Sequence, residues 1–310
     1  MVKLITPDEN LRPTGFHNFI GQDKIKESLR ISISSAKKRN ESVGHVLLSG
    51  PPGIGKTSLA QIIANELETE LIICSGPALT KAQDLVDIIY TIKQGCIFFI
   101  DELHRLPRVS EERLYPVLED FFLDMGGVKF RVPQFTCIAA TTRPAMIAGP
   151  LRDRFIYNYR LDFYDIDSIQ KIIQRSAKIL GVEAITDKAL LAVTRASRGT
   201  PRIANRLIRW VREYGDSKEL SRIDQALAKE ALEFVGVDKY GLDEQDRKFL
   251  AVLANHGDKA IGIKTIAAQM SEDENTIAET YEPYLLRMNL ISRTERGRIL
   301  TDKGKRFVAV

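Results

Sequence analysis

The chain has 310 residues, 44% apolar and 28% charged, a globular composition long enough for two or three domains. No apolar run approaches the roughly 18–20 residues of a membrane span, and the opening MVKLITPDENLRP lacks an apolar signal core, so a cytoplasmic rather than membrane or secreted protein is expected. The surplus of 45 − 41 = +4 charges allows a polyanion partner without requiring one.

Strands are expected at HVLLS (45–49), LIICS (71–75), CIFFI (96–100), FTCIAA (135–140) and, more weakly, YNYRLDF (157–163). Helical spacing separates several of them, as in TSLAQIIANELE and AQDLVDIIYTIK. This alternation predicts an α/β domain over 1–164, a parallel sheet with helices on both faces. Cys74, Cys96 and Cys137 fall in these apolar runs without C-x-x-C spacing, which reads as buried thiols rather than a disulfide framework or zinc site. His17, His45, His104 and His256 are scattered without metal-ligand spacing.

Between the first strand and the first helix stands GPPGIGKT (50–57), a complete phosphate-loop pattern in the strand-loop-helix context it requires. Gly50, Gly53 and Gly55 let the backbone curl so that N–H groups point at phosphate oxygens. Lys56 is expected to reach the β and γ phosphates, and Thr57 to place its hydroxyl on Mg²⁺. The strand IFFI then ends in Asp101 and Glu102, expected as the Mg²⁺-associated carboxylate and the base that orients water. The bland alternative for that pair is a charged strand end at the surface. The next strand ends in AATTR, where Thr141 or Thr142 is placed to bond the attacking water or the γ phosphate. PLRDRF (150–155) carries Arg152 and Arg154 on a predicted turn, able to neutralise transition-state charge from a neighbouring subunit, or else a surface ion-pair cluster around Asp153.

From about residue 165 the strand signal stops. IDSIQKIIQRSAKIL, DKALLAVTRASR, PRIANRLIRWVREY and RIDQALAKEALEFV have helical spacing, with Gly181, Gly199 and Gly215 at expected helix stops, giving a helical domain over 165–238. Arg202, Arg206, Arg209 and Arg212 recur on one helical face, for most of them a solvated basic stripe. KYGLDEQ reads as a linker. Three helices and two short apolar pieces around a basic turn then predict a winged helix over 239–310. Residues 240–286 hold 4 basic and 9 acidic side chains, whereas 287–310 hold 7 basic and 2 acidic, so positive charge gathers at the wing.

GPPGIGKT, IFFIDELHRL, AATTR, PLRDRF and GTPRIANRL, in this order, resemble an AAA+ ATPase. With LRP, FIGQDKIKESLRI, YPVLEDF, RGTPRIANRLIRWVR, DRKFL and YEPYLLRMNLISRTERGR, the chain from about Leu11 to Arg298 resembles the RuvB family of bacterial Holliday-junction branch-migration motors. The resemblance implies a RecA-like AAA+ core, a helical lid and a winged helix, assembled as a hexamer around duplex DNA and active in recombination and repair. It implies ATP and Mg²⁺ held by Gly53, Gly55, Lys56, Thr57, Ser58 and Asp101, with Glu102 serving water. It makes Thr142 the first sensor, Arg154 the arginine finger in trans with Arg152 as the other candidate, and Arg202 the second sensor in cis. It assigns the adenine pocket to Leu11, Arg12, Ile20 and Tyr164, and the DNA-phosphate contacts to the wing residues Arg293, Arg296 and Arg298.

Two departures stand out. Family members carry a longer hairpin whose apolar tip docks RuvA, the junction-recognition partner. Here only DMGGVKFRVPQ separates Leu123 from Phe135, a span suited to a short type I′ turn at Gly126-Gly127, flanked by Val128 and Phe130. Usual engagement of a RuvA-like partner is therefore not expected, and an AAA+ switch, loader or remodeller acting on another DNA or protein remains the alternative to a junction motor. Pro144, following AATTR, should stiffen the loop after the sensor strand.

Overall fold

In the computed structural model, which describes residues 11–125 and 127–309, helix α1 (Asp23–Arg39) leads into strand β1 (Val46–Ser49). There follow α2 (Lys56–Leu67), β2 (Leu71–Ser75), α3 (Ala82–Ile89), β3 (Ile97–Asp101) and α4 (Arg108–Glu119). A hairpin of β4 (Phe122–Met125) and β5 (Val128–Arg131) precedes β6 (Thr136–Thr141), the short α5 (Gly149–Arg152) and β7 (Tyr157–Arg160). The strands β2-β3-β6-β1-β7 pair in that order, all parallel. After β1 the chain crosses to β2 at the far edge, so the strand order reverses at β1. In such sheets the binding crevice opens at the strands' carboxyl ends beside the reversal. Here those are the ends of β1, β6 and β3.

The central strands explain their own composition. All six residues of β6 are buried, as are Ile97–Ile100 of β3, because helices cover both faces. Cys96 and Cys137 are buried but Cys74 only half-buried; desolvation pushes the Cys74 thiol up to about 12 and raises that of Cys137 well above its ordinary value. His45 is a core histidine: its Nδ1 accepts from the Cys137 N–H at 2.9 Å, so the other nitrogen, Nε2, donates to the Leu118 carbonyl at 2.9 Å. Burial lowers its pKa and keeps the ring neutral.

The β4–β5 hairpin pairs Met125 with Val128, which leaves only residues 126 and 127 for the turn. Gly127 has φ +94°, a value that favours glycine, while Gly126 lies outside the described residues. Leu123 is buried, whereas Phe122, Val128 and Phe130 are exposed.

Contacts divide the chain into two units. One runs to Ser168 and takes in Thr200–Arg202; the other holds Ile169–Gly199 and the chain from Ile203 onward. The second unit contains most of α6 (Ile166–Ile179), then β8 (Ala184–Ile185), α7 (Asp187–Ala196), most of α8 (Pro201–Ser217), β9 (Arg222–Ile223) and α9 (Gln225–Phe234). It continues through α10 (Glu244–Asn255), α11 (Ile263–Met270), α12 (Glu274–Thr276), a π-helical turn (Ile277–Tyr281) and α13 (Glu282–Arg287). The strands β10 (Ile291–Thr294) and β11 (Gly297–Leu300) and the helix α14 (Asp302–Val308) close it. Among the described residues, no helix is long and apolar enough to cross a membrane.

Several expectations for this half need correction. β8 and β9 form a two-residue parallel ribbon where no strand is expected. Gly215 does not stop α8. It sits buried in the last turn, where an added Cβ would approach Leu227 to 3.2 Å, so its role is close packing against α9. A further helix, α14, follows the hairpin where none is expected: Thr301 caps it by accepting from the Gly304 N–H at 3.0 Å.

The segment 239–245 is not a solvated linker either. Leu242 is fully buried, and Arg198 donates through Nε to the Gly241 carbonyl and through Nη2 to Asp243 and Asp246. Its guanidinium lies 4.9 Å from the centre of the Tyr284 ring, and Arg287, over the same ring, donates to the Arg198 carbonyl. Burial pushes the Asp246 carboxyl up to about 6 even against the Arg198 charge. One arginine thus ties the end of α7 to the start of α10 and to α13.

Candidate nucleotide site and wing

The phosphate loop follows β1 directly. Gly50 has φ +140°, and a Cβ there would stand 2.2 Å from the Leu161 carbonyl oxygen, so no side chain fits. At Gly53, φ +77°, a Cβ would meet Cβ of Arg202 at 2.9 Å and the Thr200 methyl at 3.0 Å. The loop therefore rests against the GTPR turn, and the Arg202 N–H donates to the Gly53 carbonyl at 3.2 Å. Thr200–Arg202 belong to the same compact unit as the loop, which brings the expected second sensor to the phosphate site.

Lys56 opens α2 and is only 8% exposed. Its Nζ donates to the carbonyls of Gly50 and Pro51, each at 2.8 Å, which holds the ammonium across the loop. Burial brings its pKa down to about 8; Asp101 and Glu102 raise it and Arg202 lowers it further. Thr57 Oγ1 donates to Asp101 Oδ2 at 3.3 Å, so the loop hydroxyl and the carboxylate at the end of β3 share one place. Two such hard oxygen donors beside a phosphate cradle fit Mg²⁺. Ser58, next along α2, is half-buried.

Asp101 Oδ1 accepts from the Glu102 N–H at 2.9 Å. Glu102 itself adopts φ +50°, a conformation that non-glycine residues rarely hold. Its half-exposed carboxylate stands at the strand end, 3.3 Å from Arg105. On the neighbouring strand, Thr141 is buried; its hydroxyl pairs with His104 Nδ1 at 3.1 Å and accepts from the Arg143 N–H at 3.0 Å. That hydroxyl is committed to structure, whereas Thr142, the expected sensor, is half-buried beside it. His104, one of the scattered histidines, ties the turn after Glu102 to β6; only its place in DELH could have signalled this.

Of the residues expected at the adenine, Leu11 is buried, Ile20 half-buried and Arg12 exposed. Tyr164 donates its hydroxyl to the Ile54 carbonyl at 3.2 Å, and its ring lies 2.7 Å from where a Gly21 Cβ would be. The Phe19 ring covers Gly55 similarly at 3.2 Å. Two aromatic rings, Tyr164 and Phe19, therefore pack against the loop.

Arg154 is ion-paired, but not with Asp153: its Nη2 meets Glu119 of α4 at 2.6 Å. Arg152, at the end of α5, is exposed. Arg206 is also exposed, and Arg212 pairs with Asp216 at 3.2 Å.

In the wing, Arg293 and Arg298 face each other across β10 and β11. Both donate to the fully buried carboxylate of Glu282, Arg293 at 2.6 and 2.8 Å and Arg298 at 2.9 and 3.0 Å. Arg296 is exposed in the turn. Gly297 has φ +143° and a Cβ there would lie 2.2 Å from the Ile261 carbonyl oxygen; Arg298 and Ile261 exchange two backbone hydrogen bonds at this point. The middle residue of RGR is thus fixed as glycine by the Ile261 backbone bridged beside it.

Three family models match the chain. The Holliday junction DNA helicase RuvB P-loop domain covers 11–161, the RuvB AAA lid domain 164–238 and the RuvB C-terminal winged helix domain 239–309. The chain is 45% identical over 305 residues to the Holliday junction branch migration complex subunit RuvB of Fusobacterium nucleatum, covering 96% of this chain and 92% of that protein. It is 47% identical over 321 residues to the same subunit of Dehalococcoides mccartyi, covering 99% and 92%. The solved Thermotoga maritima RuvB Holliday junction branch migration motor superposes with a TM-score of 0.91 at 40% identity, covering 97% of this chain and 98% of that one.

Proposed function

The chain belongs to the RuvB family of P-loop ATPases that drive branch migration of Holliday junctions, and from that membership we propose how its residues divide the work. The observation that carries the reading is the convergence of Lys56, Thr57, Asp101, Glu102 and Arg202 on one phosphate cradle. ATP is the nucleotide, cradled by Gly53, Gly55, Lys56, Thr57 and Ser58, with its base against Leu11, Arg12, Ile20 and Tyr164. Thr57 and Asp101 hold Mg²⁺, which when bound neutralises phosphate charge. Glu102 accepts a proton from the attacking water, Thr142 orients that water, and Arg202 reads the γ phosphate in cis. Arg154 acts in trans, which makes the active form a ring, a hexamer by analogy with the family. The domains are drawn at 1–164, 165–238 and 239–310, in line with the three family models.

The wing carries duplex and four-way-junction DNA through Arg293, Arg296 and Arg298. A motor that tracks any sequence depends on phosphate contacts, so its affinity should fall steeply with salt. The DNA substrate implies a cytoplasmic location. The two-residue hairpin turn supports a reduced role for a RuvA-like partner at this point, so the protein engages DNA on its own. Steady-state ATP hydrolysis with and without duplex DNA, across a salt series, tests this. Stimulation that fades with salt is expected. ATP binding without stimulation at any salt would favour a nucleotide-gated switch or loader.

The pKa of Lys56 gives a second check. Polyanion binding raises the pKa of an ammonium. A group at about 8 in the free protein is therefore charged in both states at pH 7, and takes up a proton on binding once the pH exceeds about 8. Nucleotide affinity should be constant below that pH and weaken above it. Calorimetry at pH 8.5 in buffers of different ionisation enthalpy should detect proton uptake that Lys56→Arg abolishes. Equal uptake in both proteins would remove Lys56 as its source.

A further inference from the structure

Two guanidiniums directly opposite each other on an antiparallel pair repel. Arg293 and Arg298 hold that arrangement because both bind one carboxylate, and that carboxylate is fully buried. Each arginine uses Nε and Nη2 on Glu282, side-on, so four charge-assisted hydrogen bonds converge on its two oxygens. Burial alone would raise the Glu282 pKa; the bonds from the two arginines together outweigh burial and lower it, so the group is an anion. A π-helical turn over Ile277–Tyr281 stands immediately before Glu282, an irregularity that often marks functional positions. The side chain of Arg293 is 54% exposed and that of Arg298 only 17%, so the two are not equivalent toward an external phosphate.

We propose that Glu282 is a positioning residue for DNA engagement: it clamps both wing arginines and presents the Arg293 guanidinium edge to a backbone phosphate, with Arg298 as the inner strut. The proposal rests on the wing reading above. The side-on grip leaves Nη1 of Arg293 outside the Glu282 contacts, and a planar guanidinium fixed on one edge pays little further rotamer entropy to bind an anion on another. The cluster keeps one net positive charge, two guanidiniums against one carboxylate.

A purely electrostatic role and a positioning role predict opposite signs. Glu282→Gln adds one positive charge to the cluster, so a charge-only account expects tighter DNA binding and a steeper salt dependence. The clamp account expects affinity for a fluorescein-labelled duplex to fall on the order of tenfold, with a salt slope shallower by roughly one, the signature of a lost phosphate contact. Glu282→Asp keeps the charge and shortens the reach by one methylene. It should weaken binding in the same direction, and it decides the matter alone if Glu282→Gln does not fold. Affinity equal to or above the parent's in either folded variant would overturn the clamp. Arg293→Ala and Arg296→Ala separate the two layers of the claim: if neither changes affinity or slope, the wing reading fails; if they weaken binding while the Glu282 variants do not, only the clamp fails.

Discussion

Glu102→Gln should bind ATP as the parent does and lose turnover by about 10²–10⁴-fold, the usual contribution of a positioned general base. The carboxylate stands at the carboxyl end of β3, one residue from Asp101, which is in hydrogen-bond contact with the phosphate-loop hydroxyl of Thr57. The amide keeps the size of the side chain and its place on the strand end. It also leaves the Glu102 N–H to Asp101 bond intact, because that bond involves only the backbone of residue 102. Loss of turnover with binding retained therefore reports proton transfer rather than folding. Single-turnover hydrolysis beside a nucleotide-binding titration makes the distinction, and parental turnover in the variant would sink the assignment.

Arg154→Ala should lose turnover by about 10³-fold or more, the range found for arginine fingers. The loss should be partly reversed by mixing with Lys56→Ala subunits. The first variant keeps an intact cradle and lacks the finger; the second lacks the cradle's ammonium and keeps the finger. Neither subunit is competent alone, but a ring holding both contains complete composite sites if Arg154 reaches a neighbour's phosphate. In the single chain Arg154 rests on Glu119, a half-exposed partner in the same unit, and not on its own phosphate loop. No recovery in rings shown to be mixed would exclude action in trans. Recovery with Arg152→Ala in place of Arg154→Ala, but not with Arg154→Ala, would move the role to Arg152.

Much of the candidate nucleotide site can be placed from the sequence because its logic is local. A strand, a glycine loop and a helix are contiguous in sequence, and CIFFI followed by two carboxylates announces a fully covered strand reaching a crevice. The expected strands differ from the observed ones by a residue or so at the ends, apart from the last, which ends at Arg160 rather than at residue 163. What sequence periodicity missed depends on distant partners. Arg198 reads as one more surface charge after a helix, yet it anchors Gly241, Asp243 and Asp246. Glu282 reads as an ordinary acid ahead of a proline, and its burial follows only from two arginines that arrive later in the chain. The distinction between Thr141 and Thr142 needed His104, whose ring is brought to β6 by the fold. Gly215 looked like a stop because its use, close packing against α9, cannot be told from capping without the neighbouring helix.

ATP hydrolysis at the Lys56–Glu102 site is expected to drive this chain along duplex DNA at a four-way junction. The most direct measurement follows a synthetic mobile junction with labelled arms, incubated with the purified protein alone and resolved into duplex products over time. With ATP and Mg²⁺ the parent should convert the junction, and Glu102→Gln should bind it and leave it unmoved. Conversion at the same rate without ATP, or by Glu102→Gln as fast as by the parent, would contradict the account.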